Sequence, residues 1–262
     1  MDSEQIPLIH DTAIVDPSAR LAGGVVIGAY AVIGAGVDIQ PGTTVGPHSV
    51  IYGPTRLGRN NRIHPHVCLG GAPQDLGYLE ESTRLEIGDG NTIREFVTIH
   101  RGTPKDRALT TIGNDNLLMA YAHVGHDCVL GNNIVMANGA TLAGHVSVGD
   151  RANIAGLVAV HQFARIGQIA MVGGGSIVVK DIPPFMLAAG NTARLYGLNH
   201  RGLKRAGLDA AGLAALKSAY RTLYRSGLGL KHAIRELESQ SLTPEVQQLL
   251  DFLKQSKRGL SR

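Results

Sequence analysis

Four histidines are the side chains of this sequence whose types and spacing best suit chemistry: His123, His126, His145 and His161. An imidazole titrates near neutral pH, so it can take a proton from a substrate hydroxyl or coordinate a metal ion. Asp127 directly follows His126 and supplies a carboxylate that could orient an imidazole ring. Three hypotheses compete here: a general-base site, a zinc site built from three imidazoles, and hydrogen-bonded surface histidines without a catalytic role.

These histidines lie in a stretch in which every sixth residue is apolar. The pattern runs from Ile112 to Val178 without a slip, and it also holds from Val15 to Leu69 and from Ile87 to Ile99, giving 25 repeats in all. A period of six matches neither the 3.6 residues of a helical turn nor the two of a strand, so it indicates a repeat architecture. We interpret each repeat as one short strand and a turn, and three repeats as one triangular coil. Stacked coils would then be separated by about 4.8 Å.

Hexapeptide repeats of this kind resemble those of left-handed parallel β-helices. We therefore expect an all-β repeat domain over residues 1–190, followed by a helical domain over residues 191–262. The two interruptions of the period are predicted to be external loops, at about 70–86 and 100–111. Long loops on a rigid repeat are often functional.

The helical domain carries clear cap signals. Asp209 is suited to cap a helix that ends at Ser226, before Gly227. A second helix is expected over residues 230–239. Thr243 followed by Pro244 predicts the start of a third helix, which fades before residue 259.

Composition narrows the function classes. No apolar run approaches the roughly 18 residues of a membrane helix, and Met1 to Pro7 lack the pattern of a signal peptide. We therefore expect a cytoplasmic protein without a transmembrane segment, whose two cysteines are reduced. Residues 194–262 hold 13 Lys+Arg against 5 Asp+Glu, and residues 1–193 hold 12 against 16. The basic C-terminal part favours an acidic partner or a phosphate ligand.

The coil period also places the histidines. Residues 18 apart lie directly above one another, so His126 projects onto 144 and 162, and His145 and His161 each miss that column by one residue. The period thus predicts three histidines stacked along one edge at about 5 Å steps. Two observations disfavour the zinc hypothesis. The metal-binding histidines of the gamma-class carbonic anhydrases have a different spacing, and no cysteine or extra glutamate completes a ligand set here.

Four short motifs carry a closer resemblance: Ile99-His100-Arg101-Gly102-Thr103, Ala122-His123-Val124-Gly125-His126-Asp127-Cys128, Leu142-Ala143-Gly144-His145-Val146 and Val160-His161-Gln162-Phe163. In this order they resemble the acyl-[acyl-carrier-protein]–UDP-N-acetylglucosamine O-acyltransferases, which begin lipid A synthesis. The resemblance covers essentially the whole chain, including Gln74-Asp75-Leu76, Arg-Gly-Leu-Lys-Arg at 201–205 and Lys257-Arg258-Gly259.

The resemblance implies a role for each matching residue. His126 would deprotonate the sugar 3-hydroxyl, Asp127 would polarise His126, and the backbone N–H of Gly144 would bind the oxyanion. The substrate-binding residues would be Asp75, His123, His145, His161, Gln162, Met171, Gly174, Asn199 and Arg205. Met171 and Gly174 match positions that limit the acyl chain, and glycine at 174 favours a long 3-hydroxyacyl chain. Asn199 and Arg205 match contacts to the uridine diphosphate.

Two residues depart from the family pattern. Gly77 stands where a lysine is usual, and Arg201 where a glutamate is usual. Both changes affect how a nucleotide sugar would be held. A relative that acylates the 3-amino group of a UDP-amino sugar, and so forms an amide, is therefore the main alternative. A non-catalytic β-helix scaffold and a metal enzyme remain as further alternatives.

The resemblance also implies partners. The acyl group would arrive on the phosphopantetheine of acyl carrier protein, an acidic protein that the basic tail and Arg165 could meet. No cofactor, metal or nucleic acid is expected. The family forms homotrimers with active sites between neighbours, and outward-facing histidines would need a second wall to enclose a substrate.

Overall fold

The computed structural model describes residues 6–261, so most of the N-terminal segment examined for a signal peptide lies outside the described residues. Twenty-eight short strands and four helices are found in this range. The strands before the first external loop are β1 (Leu8–Ile9), β2 (Ile14–Val15), β3 (Arg20–Leu21), β4 (Val26–Ile27), β5 (Val32–Ile33), β6 (Val37–Ile39), β7 (Thr44–Val45), β8 (Val50–Ile51), β9 (Thr55–Leu57), β10 (Arg62–Ile63) and β11 (Cys68–Gly71). Between the two loops lie β12 (Arg84–Ile87), β13 (Thr92–Ile93) and β14 (Thr98–His100).

The second part of the repeat is uninterrupted. It comprises β15 (Leu109–Ile112), β16 (Leu117–Leu118), β17 (His123–Val124), β18 (Val129–Leu130), β19 (Val135–Met136), β20 (Thr141–Leu142), β21 (Ser147–Val148), β22 (Asn153–Ile154), β23 (Ala159–Val160), β24 (Arg165–Ile166), β25 (Met171–Val172) and β26 (Ile177–Val178). A hairpin of β27 (Met186–Ala189) and β28 (Arg194–Leu198) closes the repeat.

Every one of the 25 apolar repeat positions lies in its own strand, from Val15 in β2 to Val178 in β26. Nearly all of their side chains are buried, because the sixth residue points into the coil. Successive coils pair in parallel, for example His123 with Thr141 and Thr141 with Ala159. The predicted triangular coil is therefore confirmed.

The coil has three faces. Face 1 is an 11-stranded sheet from β1 to β28, face 2 a nine-stranded sheet from β2 to β26, and face 3 an eight-stranded sheet from β3 to β24. The chain crosses from face 2 to face 3 at the corners that contain Asp127, His145 and Phe163, which we call the histidine edge. It crosses from face 1 to face 2 at the corners that contain Gly156 and Gly174, which we call the second edge.

Both predicted loops exist, but each is shorter than predicted. They cover residues 72–83 and 101–108, because β11, β12, β14 and β15 extend into the ranges 70–86 and 100–111. The reason is pairing: β12 and β15 are neighbours on face 3 and continue their parallel ladder for four residues, from Arg84–Leu109 to Ile87–Ile112. The backbone groups of these residues are hydrogen-bonded in the ladder, although the sequence there has no apolar period.

The three predicted helices are present as α2 (Ala210–Arg225), α3 (Leu230–Glu238) and α4 (Pro244–Lys254). Asp209 and Thr243 cap α2 and α4 as expected, since each side chain accepts a backbone N–H. One further helix, α1 (His200–Arg205), was not predicted as a separate element. The boundary predicted between residues 190 and 191 falls in the turn of the β27–β28 hairpin, and the division into two domains stays a prediction.

The helices pack on the end of the coil through a second apolar core, in which Phe185 and Met186 of the coil meet Leu216, Leu249 and Leu253 of the helices. The last residues return to the coil, where Leu260 forms a parallel bridge to Asp181. Within residues 6–261, none of the helices has the length and apolar character required to cross a membrane.

Candidate active site

His126 and Asp127 lie at the turn between β17 and β18, on the histidine edge. Asp127 has φ +59°, in the left-handed region that aspartate tolerates better than most residues. Its backbone N–H donates to Oγ1 of Thr110 at 2.8 Å, which fixes the corner. The coil period therefore sets the direction in which this corner presents its side chains.

The carboxylate of Asp127 is buried and fully engaged. Thr103 donates to it twice, from its N–H at 2.9 Å to Oδ1 and from Oγ1 at 2.7 Å to Oδ2. Nδ1 of His126 lies 2.8 Å from the same Oδ2. Because a carboxylate only accepts, the proton of a neutral His126 is on Nδ1 and the lone pair of Nε2 is available. Nε2 can therefore take a proton from a substrate.

Gly144 lies in the next coil, directly against the His126 ring. A Cβ atom at this position would be 2.6 Å from Nε2 of His126 and 2.5 Å from Cε1, so only glycine leaves room for the imidazole. Among residues 6–261, no acceptor pairs with the Gly144 N–H. A free backbone donor beside a base is the arrangement that an oxyanion requires.

His145 extends the histidine edge by one coil. Its ring meets the His126 ring edge-on, with centroids 5.1 Å apart, and stacks on Phe163 at 4.4 Å. Nδ1 of His145 lies 3.3 Å from Oδ2 of Asp106, a residue of the second external loop. The predicted stack of three histidines is thus correct for His126 and His145, but Phe163 takes the place expected for His161.

His161 lies at the end of face 2, where its Nδ1 accepts a hydrogen bond of 2.8 Å from Nη2 of Arg258. The same Nδ1 also lies 3.1 Å from the Gln162 carbonyl oxygen. Gln162, the next residue, is exposed at the corner. A cavity of about 730 Å³ opens beside His145 and is lined by Phe163, Arg165, Lys257 and Arg258 among others. Its basic side chains suit an anionic ligand.

His123 and His100 lie on face 2 behind His126. Nδ1 of His123 is 2.7 Å from Oγ1 of Thr98, and its ring meets the His100 ring edge-on at 5.0 Å. Burial lowers the pKa of His100 to about 4, with smaller contributions from the charges of His123 and His126. Burial, and then His126, lowers the pKa of His123. Both rings are therefore neutral at physiological pH.

Asp75 belongs to the first external loop and pairs with Lys105 of the second. Nζ of Lys105, in the second loop, lies 2.9 Å and 2.7 Å from its two carboxylate oxygens, and the Gly77 N–H donates to Oδ1 at 2.8 Å. These two contacts, chiefly that of Lys105, hold the pKa of Asp75 below its usual range, and the charge of His126 acts in the same direction.

The remaining predicted residues lie elsewhere. Met171 is on face 1 and Gly174 is on the second edge, where a Cβ would meet only the Gly156 carbonyl at 3.4 Å and Ala155 at 4.0 Å. Asn199 caps α1 through the Gly202 N–H and donates to the Ile169 carbonyl. Arg205 is exposed at the end of α1. Along one chain, these four residues are not on the histidine edge.

Sequence reasoning missed three contacts of the site: Thr103 to Asp127, Asp106 to His145 and Lys105 to Asp75. All three come from the second external loop. The interruption of the period indicated that this loop was functional, but the partners of its side chains depend on the loop conformation.

A metal-binding set was also tested against the geometry. Donor atoms of His126, Asp127 and His145 lie within 4.8 Å of one another. However, Oδ2 of Asp127 already accepts hydrogen bonds from His126 and Thr103, so it has few lone pairs left for a metal ion. These residues fit hydrogen bonding between the rings and the carboxylate better than metal coordination.

Comparison with known proteins gives a consistent result. Residues 109–144 match the bacterial transferase hexapeptide family (six repeats), and residues 181–261 match the family described as UDP N-acetylglucosamine O-acyltransferase, domain 2. A curated relative from Syntrophobacter fumaroxidans, an acyl-[acyl-carrier-protein]–UDP-N-acetylglucosamine O-acyltransferase, is 51% identical over 256 residues, which is 97% of this chain and 99% of the relative.

Solved structures agree. The UDP-N-acetylglucosamine O-acyltransferase of Moraxella catarrhalis superimposes with a TM-score of 0.93 at 44% identity, covering 97% of this chain and 99% of that chain. The UDP-N-acetylglucosamine acyltransferase of Francisella novicida gives a TM-score of 0.94 at 37% identity, covering 97% and 94%. The predicted fold, a left-handed parallel β-helix followed by a helical part, is confirmed.

Proposed function

The chain belongs to the acyl-[acyl-carrier-protein]–UDP-N-acetylglucosamine O-acyltransferase family, and we propose that it moves an acyl chain to the sugar 3-hydroxyl with His126 as general base. Acyltransfer from acyl carrier protein to this nucleotide sugar is the first step of lipid A biosynthesis. The observation that carries the proposal is the contact of His126 with Asp127, which leaves Nε2 of His126 as an acceptor directly over Gly144.

Proton removal and attack occur together. Nε2 of His126 takes the hydrogen of the 3-hydroxyl while the oxygen attacks the thioester carbonyl carbon. Asp127 holds the ring by its Nδ1 proton and compensates the charge of the imidazolium that forms. Thr103 supports this step indirectly, because its two hydrogen bonds prevent the carboxylate from rotating.

The tetrahedral intermediate carries a negative oxygen, for which the unpaired Gly144 N–H is the donor. One well-placed donor of this type is worth about 3 kcal/mol in the transition state. Collapse of the intermediate breaks the carbon–sulfur bond, and the departing pantetheine thiol takes the proton from Nε2 of His126. The residues then return to their starting state without a cofactor or a metal.

Substrate contacts follow from the same geometry. Asp75, His123, His145, His161 and Gln162 would hold the sugar and the acyl group around His126. Because the His145 ring is stacked on Phe163, the substrate would meet a polar imidazole beside an apolar ring. The cavity beside His145, with Arg165, Lys257 and Arg258 in its lining, would admit the phosphopantetheine arm of the carrier protein.

We infer that the active enzyme is a homotrimer. Met171, Gly174, Asn199 and Arg205 would bind the acyl chain and the uridine diphosphate, yet in one chain they lie away from the histidine edge. A neighbouring copy that brings its second edge to the histidine edge would complete the site. With glycine at 174 that neighbour leaves room for a long 3-hydroxyacyl chain.

The proposal also covers location and organisation. We infer a cytoplasmic enzyme, in which a repeat domain (residues 1–190) carries the chemistry and a helical domain (residues 191–262) meets the carrier protein. The net positive charge of the C-terminal part supports this assignment, since carrier proteins are acidic.

An acceptor competition tests the function directly. Purified protein is given a 3-hydroxyacyl carrier protein together with equal amounts of UDP-N-acetylglucosamine and the 3-amino analogue, and the products are separated by mass. We expect the ester to dominate. Preference for the amine would make the chain an N-acyltransferase, and failure to acylate either sugar would refute the proposal.

A further inference from the structure

We propose that Lys105 is a positioning residue for the acceptor sugar: its ammonium group fixes the Asp75 carboxylate and joins the two external loops. This inference rests on the proposed function, because it assumes that Asp75 contacts the sugar. Lys105 itself has no counterpart among the residues that the family resemblance singles out.

The contact is bidentate. Nζ of Lys105 lies within 3 Å of both oxygens of Asp75, at 2.9 Å and 2.7 Å. The Asp75 side chain is only 19% exposed, whereas that of Lys105 is 54% exposed. A half-exposed ion pair contributes little to the stability of a fold. Its main effect is therefore on the orientation of the less exposed partner, the carboxylate.

Gly77 is what makes room for this ammonium group. A Cβ atom at position 77 would lie 2.6 Å from Nζ of Lys105 and 3.4 Å from Oδ1 of Asp75. A side chain at position 77 would thus begin in the space that the end of the Lys105 side chain fills, and the backbone of Gly77 is not in the left-handed region. A long side chain at 77 could therefore carry a cation to Asp75 without backbone strain.

The loop that carries Lys105 is anchored to the catalytic groups on both sides of it. Thr103 donates to Asp127, and Asp106 lies 3.3 Å from Nδ1 of His145. Arg101 donates to Tyr78 Oη of the first loop and to the Gly70 carbonyl of β11, the strand that leads into that loop. These contacts fix the position of the second loop, and with it the position from which Lys105 reaches Asp75.

The function of this arrangement is to keep the Asp75 carboxylate aligned. Two donors already fix Oδ1, so Oδ2 is the oxygen with acceptor capacity left for a sugar hydroxyl. The interaction with Lys105 is also the largest cause of the lowered pKa of Asp75. Without Lys105 the carboxylate could rotate, and the sugar would lose a charge-assisted hydrogen bond.

The test compares four variants of the full chain. Lys105→Ala removes the cation, Lys105→Arg keeps it, and the pair Gly77→Lys with Lys105→Ala moves it to the neighbouring position. Arg20→Ala is the matched control, because it removes another exposed cation paired with a carboxylate, near the other end of the coil. Each is measured for kcat, for the KM of both substrates and, without acyl donor, for the Kd of UDP-N-acetylglucosamine by calorimetry.

We expect Lys105→Ala to raise the KM and the Kd for the nucleotide sugar about tenfold, as for an interaction made equally in the ground and transition states, with little change in kcat or in the KM for the acyl carrier protein. Lys105→Arg and the relocated lysine should recover most of this loss, and Arg20→Ala should behave like the wild type. An unchanged KM and Kd in Lys105→Ala would overturn the inference.

Failure of either rescue would also overturn it, since the loss would then reflect a general disturbance of the loop. The calorimetry separates this inference from the proposed function. If the wild type binds the nucleotide sugar but transfers no acyl group, the proposed function fails, and the Kd values still decide the role of Lys105. If the wild type does not bind the sugar at all, both fail.

Discussion

Nδ1 of His126 lies 2.8 Å from Oδ2 of Asp127, and this short contact between adjacent residues organises the rest of the site. The aspartate is in the left-handed conformation, with φ +59°, so its side chain turns back toward the preceding histidine. Because the carboxylate is buried and held by Thr103, the histidine has one ring orientation and one tautomer. A corner of the repeat therefore holds the His126 imidazole in one orientation.

Removal of the proposed base, His126, gives the first prediction. His126→Ala should lower kcat by about 10²–10⁴, the usual contribution of general acid–base catalysis. The KM values should change much less. The measurement is acyl transfer under saturating substrates, with circular dichroism to verify folding. His64→Ala is the matched control, since His64 is a partly exposed imidazole 3.4 Å from Glu95 at another part of the coil. Near wild-type turnover in folded His126→Ala would exclude His126 as the base.

Gly144→Ala gives the second prediction. The new Cβ would lie 2.5–3.0 Å from three atoms of the His126 ring, so the ring must move. A displacement of about 1 Å at a reacting group can cost roughly 10² in rate. We expect kcat to fall by about this factor while the thermal midpoint changes little.

Gly34→Ala provides the control for this substitution. Gly34 lies at a corner of an early coil, between β5 and β6, and a Cβ there would meet the Ile51 carbonyl at 3.2 Å and no histidine. This variant should fold normally and keep its turnover. Equal losses in both variants would mean that the corner glycines matter for the coil and not for His126.

The sequence allowed the fold and part of the site to be predicted, for a physical reason. An inward residue at every sixth position leaves no freedom in the coil, so all of the repeat strands follow from the period. Asp127, His145 and Phe163 stack as one column because they share the left-handed corner position, which the projection from His126 missed by one residue.

The loop contacts could not be predicted in this way. Asp106 meets His145 across 39 residues, and Lys105 meets Asp75 across 30. Nothing periodic relates these positions, and their contacts depend on how two irregular segments pack on the coil. The two charges were visible in the sequence, but their partners were not.

The pH dependence of stability is the third prediction. Burial lowers the pKa of His100 from 6.5 to about 4, so the unfolded chain binds a proton that the folded chain excludes. Stability from this group is complete above pH 6.5 and is lost as the pH falls toward 4, up to about 3 kcal/mol. His123, whose pKa burial also lowers, acts in the same direction.

The measurement is the urea midpoint of the wild type and of His100→Gln at about pH 7.5 and about pH 5. The wild type should lose more stability on acidification than His100→Gln, because the variant has no proton to take up at this position. His232→Gln, at an exposed position on α3, should lose as much as the wild type. If His100→Gln loses as much as the wild type too, the buried ring is not the cause.

Independence from metal is the fourth prediction. Since Oδ2 of Asp127 is already occupied by His126 and Thr103, we expect dialysis against a chelator to leave acyl transfer unchanged. Metal analysis of the dialysed protein accompanies the assay. Activity that disappears on chelation and returns with stoichiometric zinc would instead support a metal site built from His126, Asp127 and His145.

The fifth prediction concerns the assembly. His126 lies on the histidine edge, whereas Arg205 lies at the end of α1, away from it. If a complete site takes one residue from each of two neighbours, His126→Ala and Arg205→Ala should complement each other in mixed trimers. Purification through two different tags leaves only mixed trimers, and in each cyclic mixed trimer about one site in three combines an intact His126 with an intact Arg205. Co-expressed variants should therefore regain up to this fraction of the wild-type activity, measured after purification through two different tags.

Separately purified variants mixed without subunit exchange serve as the control. Purified mixed trimers no more active than the two variants alone would show that each chain contains its own complete site.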